Sequence, residues 1–308
     1  MREHLHNICK LGLGLLFILL FTSSLQAQTK IGNDIDGEAA YDYSGTDIAI
    51  SGDGTIVAIG ANSNDGTATN AGHVRVYKNT SGTWTQLGSD IDGEAIGDKS
   101  GQNALSDDGT ILAVGAPFND GNGTESGHVR VYEWSGTAWV QKGSDIDGEA
   151  AGDRSGRSVS LSKDGTTLSI GAPKNDGAAT DAGHVRVYEW SGSAWVQKGS
   201  DIEGAAANNS FGFSTSISDN GTILAVGAHL NNNSTGQVRV FEWSGSAWLQ
   251  KGSSINGEAL GDESGKSLSL SSDGLTLAIA GVENDGNGTD AGHVRVYEWS
   301  GTAWTQKG

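Results

Sequence analysis

Cysteine is almost missing from this chain: Cys9 is the single one in 308 residues. A disulfide framework, thiolate zinc sites and a cysteine nucleophile are therefore excluded downstream of it. Proline is as scarce, with 2 residues, so the 48 glycines belong to turns and not to a collagenous or proline-rich array. Basic residues are also few. The 19 Lys and Arg stand against 37 Asp and Glu, a formal charge of −18. Such a surface repels phosphate backbones and anionic lipid, which argues against nucleic acid and membrane surfaces as partners. The one long apolar run, Leu11 to Phe21, is shorter than the roughly 20 residues of a membrane span. With Arg2 and Lys10 ahead of it and Leu25-Gln26-Ala27 behind, residues 1–27 read as a signal peptide. Cleavage there leaves a secreted or cell-surface protein with no membrane span. At 36% hydrophobic residues and 9 Trp, the remainder can still bury a core.

What is present is one unit repeated. Gly-His-Val-Arg-Val-Tyr starts at Gly72, Gly127, Gly183 and Gly292, and Gly-Gln-Val-Arg-Val-Phe at Gly236. Asp-Ile-Asp-Gly starts at Asp34, Asp90 and Asp145, weakening at Asp201 and Ser254. Cutting before that motif divides 28–308 into units 33–88, 89–143, 144–199, 200–252 and 253–308. Within the third unit, Ser158 to Ser162 alternates polar and apolar, as a half-buried strand does. Asp164-Gly165 turns the chain, Thr167 to Ile170 returns, His184 to Trp190 alternates again, and Trp195 to Lys198 closes the unit. Four short antiparallel strands of this size cannot bury both faces alone and must stack on their neighbours. The predicted fold is all-β: a β-propeller of four-stranded antiparallel blades with five repeats.

Phe211-Gly212 followed by Gly227-Ala228, with Gly115-Ala116-Pro117 and Gly171-Ala172-Pro173, resembles the FG-GAP repeat of integrin α-chain propellers. Elsewhere the first half of that motif is Ser-Gly, at Ser44, Ser100, Ser155 and Ser264. The resemblance implies a secreted propeller used for adhesion or protein binding. Five units allow a five-bladed ring, expected to be a monomer, or part of a larger array. The calcium loops that the family carries between its first two strands are expected to be absent. The matching turns, such as Ser162-Lys163-Asp164-Gly165, hold too few carboxylates.

A second acidic set, Asp34, Asp36, Glu38, Asp90, Asp92, Glu94, Asp145, Asp147, Glu149 and Asp153, crowds the links between units and is a weak Ca²⁺ candidate. No other cofactor is expected. Asp176 and Asp181 lie in the long loop of the third unit, and alternating turn geometry places that loop on the same face as the links. This acidic face is the expected site for an extracellular protein. The histidines at 73, 128, 184 and 293 fall in different blades, so they are not expected to converge on a zinc ion. Paired tryptophans, among them Trp190 and Trp195, offer an alternative: a carbohydrate-binding edge. No nucleophile–base set stands apart from the repeat, and the expectation is a non-enzyme.

Overall fold

The alternation of the sequence becomes five antiparallel sheets, one per repeat, in a computed structural model that describes residues 29–308. The signal peptide expected over 1–27 and Cys9 lie outside the described residues. In the third sheet Ser158–Leu161 pairs with Thr167–Ala172, which pairs with His184–Trp190, which pairs with Trp195–Gln197. Val159, Leu168 and Val185 fall on the pleat positions that meet neighbouring sheets, whereas Glu189 points to solvent. The one helical stretch among the described residues, Asn231–Ser234, is a loop turn in which Asn232 and Asn233 take positive φ.

The links differ from the sequence reading. Ile202–Glu203 forms a short fifth strand on the edge of the third sheet, with Ile202 opposite Val185 and Glu203 opposite His184. Asp-Ile-Asp-Gly therefore completes the sheet that precedes it, and the same pairing recurs at Ile91–Asp92, Ile146–Asp147 and Ile255–Asn256. Each of these isoleucines is buried. Burial of that one side chain holds the two-residue strand in place.

Successive sheets pack face to face around an axis lined by their first strands. Four apolar clusters fill the four intervals between the five sheets. At the end with the short turns, Gly52, Asp107, Lys163 and Asp219 each donate a backbone N–H to a turn carbonyl of the next sheet, at 2.8–2.9 Å. That series stops at Ser272. Among the described residues no hydrogen bond joins the fifth sheet to the first. Val294 of the fifth sheet is 65% exposed where Val74, Val129, Val185 and Val238 are 0% exposed, and Ile48 on the first sheet is 68% exposed. The outer faces of the first and fifth sheets are thus uncovered at these two positions.

Each second tryptophan is a clamp between sheets. Trp195 Nε1 donates to the carbonyl of Lys142 in the second sheet at 2.9 Å, and Trp139, Trp248 and Trp304 do the same one sheet back. Trp190 packs against Trp195 with centroids 5.4 Å apart, and Lys142 Nζ sits 4.7 Å above the Trp190 ring. With both partners in place, the Trp190 ring has little face left for a sugar. Trp195→Phe keeps the ring and loses the donor. It is expected to cost about 1 kcal/mol, read as a lower urea midpoint with an unchanged slope.

Candidate functional site: the loop face

The start of the first strand, the end of the second and the start of the third meet at one end of each sheet, as Ser158↔Gly171 and Ala172↔His184 show. The long loops and the acidic links emerge there together, which makes this the loop face. Its most regular feature is a buried imidazole between two carboxylates. His184 Nδ1 lies 3.7 Å from Glu149 Oε2 and 4.0 Å from Asp201 Oδ2. His128 stands 3.9 Å from both Glu94 and Asp145, and His73 stands 3.8 Å from Glu38 and 3.7 Å from Asp90. In each triad the glutamate comes from the link before the blade and the aspartate from the link after it.

The three imidazoles are buried, while their carboxylates open to solvent. Burial, with Arg186 adjacent, pushes His184 down to about 4, and burial moves His128 in the same direction. At His184 and His128 a neutral imidazole therefore faces two acidic groups, and in all three triads the gaps are too long for a hydrogen bond. His184 Nδ1 and His73 Nδ1 have no hydrogen-bond partner. Donor atoms of a tetrahedral ion with bonds of about 2.0–2.2 Å stand roughly 3.3–3.6 Å apart, close to these separations. All ligand atoms within a triad lie within 4.8 Å of one another.

The neighbouring arginine has a separate task. Arg186 Nη2 donates to the Asp147 carbonyl at 2.6 Å, Arg130 to Asp92, Arg239 to Glu203 and Arg295 to Asn256, bracing the link of its own unit. This arginine is present in all five units. The triad is not. In the fourth unit all three of its positions change together, to Ala205, Gln237 and Ser254, while Arg239 stays. The fifth keeps Glu258 and His293 at 3.6 Å.

Of the acidic candidates, Glu38, Asp90, Glu94, Asp145 and Glu149 thus belong to triads. Asp34 and Asp36 line a hollow beside Tyr77 and Trp84. Asp92 and Asp147 are strand residues opposite His73 and His128. Asp153 is buried and accepts from Ala150 N and Asn175 Nδ2, fixing the link to the long loop. Asp176 Oδ1 accepts from the Asp181 backbone, and Asp181 pairs with Lys174 at 3.0 Å. In the turns that match the family's calcium loops, Asp164 Oδ1 accepts from Ser162 Oγ and Thr166 N, holding its own turn.

Two parts of the sequence reading need correction. The case against zinc required several histidines to converge, whereas each triad uses one, and carboxylates supply the rest. Asp201 was not among the candidates, although the joint change at 205, 237 and 254 is visible in the sequence and links the three positions. Each triad offers one imidazole and two carboxylates, a mixed donor set and not the all-oxygen one expected for Ca²⁺.

No family model matches the chain, and no curated protein matches it. The FG-GAP resemblance therefore rests on the sequence motifs alone. Among solved structures, the periplasmic gluconolactonase of Pseudomonas aeruginosa is similar with TM-score 0.58 and 16% identity, covering 85% of this chain and 70% of that one. Hydrazine synthase of Kuenenia stuttgartiensis is similar with TM-score 0.57 and 15% identity, over 89% of this chain and 69% of the other. A Bacteroides fragilis protein assigned as a 6-phosphogluconolactonase gives TM-score 0.54 and 15% identity, over 86% and 70%. At this identity the likeness is one of fold. The expectation of a non-enzyme is overturned here, because enzymes are built on the same scaffold and the lack of a familiar catalytic motif excludes nothing. The chain has the repeated-blade, all-β architecture of the β-propellers.

Proposed function

We propose that this is an exported propeller scaffold that holds divalent transition-metal ions in its three loop-face triads and engages an extracellular partner through them. The observation that carries the reading is the joint replacement of Glu, His and Asp by Ala205, Gln237 and Ser254 in one unit, with the structural Arg239 retained. The three positions act as one unit, separate from the arginine that braces the link. The leader over 1–27 supports export, and among the described residues no helix is long and apolar enough to cross a membrane. The carboxylates are solvent-facing, so a bound ion would keep one side open to a ligand.

Titration calorimetry with Zn²⁺ tests this. Saturation at three ions per chain is expected, one for each triad, with each of His73→Ala, His128→Ala and His184→Ala removing one. Ca²⁺ should not compete. No saturable zinc binding, or a triple variant that binds as the parent does, would sink the proposal. A second reading, metal-assisted hydrolysis, draws on the open side of each triad and on the lactonases that share the fold. Zinc-dependent turnover of gluconolactone, absent in His184→Ala, would favour it over partner binding.

A further inference from the structure

The repeat is most uneven around the axis. The residue that follows the Ser/Phe-Gly pair is Thr46, Gln102, Arg157, Phe213 and Lys266 in the five units, five different side chains where the third strand carries the same arginine five times. These five positions meet at the axial end of the loop face, around a cavity of about 270 Å³. Where the five units converge on one axis and each brings a different side chain, the scaffold has a single, asymmetric place for a ligand.

Charge and shape define the ligand class. The Arg157 guanidinium lies 4.0 Å over the Phe213 ring, which in turn stacks on His229 at 4.0 Å. Its one polar protein contact is a long one, 3.5 Å from Nη1 to Gln102 Oε1, and no carboxylate pairs with it among the described residues. Asp47 also lines the cavity and its charge acts on Arg157, but its Oδ2 is engaged by the Asn103 N–H at 2.7 Å and its Oδ1 by the Ile48 N–H at 3.1 Å. Neither oxygen reaches the guanidinium. Burial penalises the charged forms of both groups, lowering Arg157 and raising Asp47. Lys174 and Lys266 stand near enough to bear on His229. Lys266 is paired with Glu263 at 2.6 Å and Lys174 with Asp181 at 3.0 Å, so Arg157 is the cation at the cavity that no carboxylate meets within ion-pair distance among the described residues.

We propose that the axial cavity binds a small oxyanion, the carboxylate or phosphate of a compact solute, on the guanidinium of Arg157, which Phe213 holds in place from below. A guanidinium offers two parallel donors to such a group. The cavity lies just below the usual range for drug-sized ligands, which limits the occupant to a few heavy atoms beyond the anion. This site is separate from the metal triads and needs no ion.

Calorimetry on chelator-treated protein, with inorganic phosphate and with citrate as probes, tests it. At least one is expected to bind with a Kd of about 1 mM or tighter. Arg157→Gln should weaken that binding about tenfold or more, while Arg154→Gln, whose side chain is paired with Glu125, should leave it unchanged. Phosphate binding without citrate binding would identify a phosphate site, and the reverse a carboxylate site. Should Arg157→Gln not fold, protection of Arg157 from phenylglyoxal by the bound probe, read by peptide mass spectrometry on the parent protein, gives the same answer. Failure of both probes to saturate, binding indifferent to Arg157→Gln, or no protection overturns the proposal.

Discussion

Replacing Gly171 by alanine is expected to destabilise the protein by about 3 kcal/mol, more than any loop-face substitution. Gly171 lies at the end of the second strand of the third sheet, where the fourth sheet comes closest. A Cβ built there would sit 2.0 Å from the carbonyl oxygen of Gly212 and 2.4 Å from Ser158 Oγ. The nearer atom is backbone, so no rotamer change relieves the contact. The two sheets must separate, and the apolar cluster between them, with Val185, Val226 and Phe241, loosens. Gly60, Gly115 and Gly227 meet their neighbours in the same way, at 2.0–2.2 Å, so the contact is a property of the repeat. Gly192→Ala is the control. Nothing lies within 4 Å of its Cβ, and only its φ of +96° opposes the change, at a cost of about 1 kcal/mol. Equal unfolding free energies for the two variants would mean that the sheets are not held at this distance.

That close approach was legible as Gly-Ala-Pro in the sequence, but its reason was not. Alternation over Ser158 to Ser162 and His184 to Trp190 gave strand, the Asp-Gly pairs gave turns, and the repeat gave stacking, because each depends on neighbours within a few positions. The pairing of Ile202 with Val185 did not show, since a two-residue strand has no period and its partner lies 17 positions back. The triads were hidden for a related reason. Glu149, His184 and Asp201 are drawn from three segments and two units, and counting acids within a single link splits them. Tryptophan pairs signalled packing and sugar binding equally until Trp195 Nε1 was found bonded to the previous sheet. The exposed edges at Val294 and Ile48 could be expected only as one of two outcomes, because ring closure depends on the angle between sheets and no residue pattern encodes that angle directly.

Lowering the pH from 6.5 towards 4 is expected to remove roughly 3 kcal/mol of stability through His229 alone. The ring is 7% exposed, its Nδ1 has no hydrogen-bond partner, and one face is covered by Phe213. Burial is the main cause that pushes it down to about 4; Lys266, Arg157 and Lys174 act in the same direction and Glu263 opposes them. In the unfolded chain the same imidazole titrates near 6.5. Between those two values the unfolded state takes up a proton that the folded state refuses, so stability is complete above about 6.5 and falls as the solution is acidified. His184 moves in the same direction, and carboxylates add their own acid dependence, so the contribution of His229 is isolated by difference. His229→Gln removes the titrating group. The gap in unfolding free energy between parent and variant should therefore shrink by roughly 2–3 kcal/mol between pH 7 and pH 4.5, measured by urea unfolding at each pH. Parallel curves for the two proteins would show that His229 titrates alike in the folded and the unfolded chain, and that burial does not penalise its charged form.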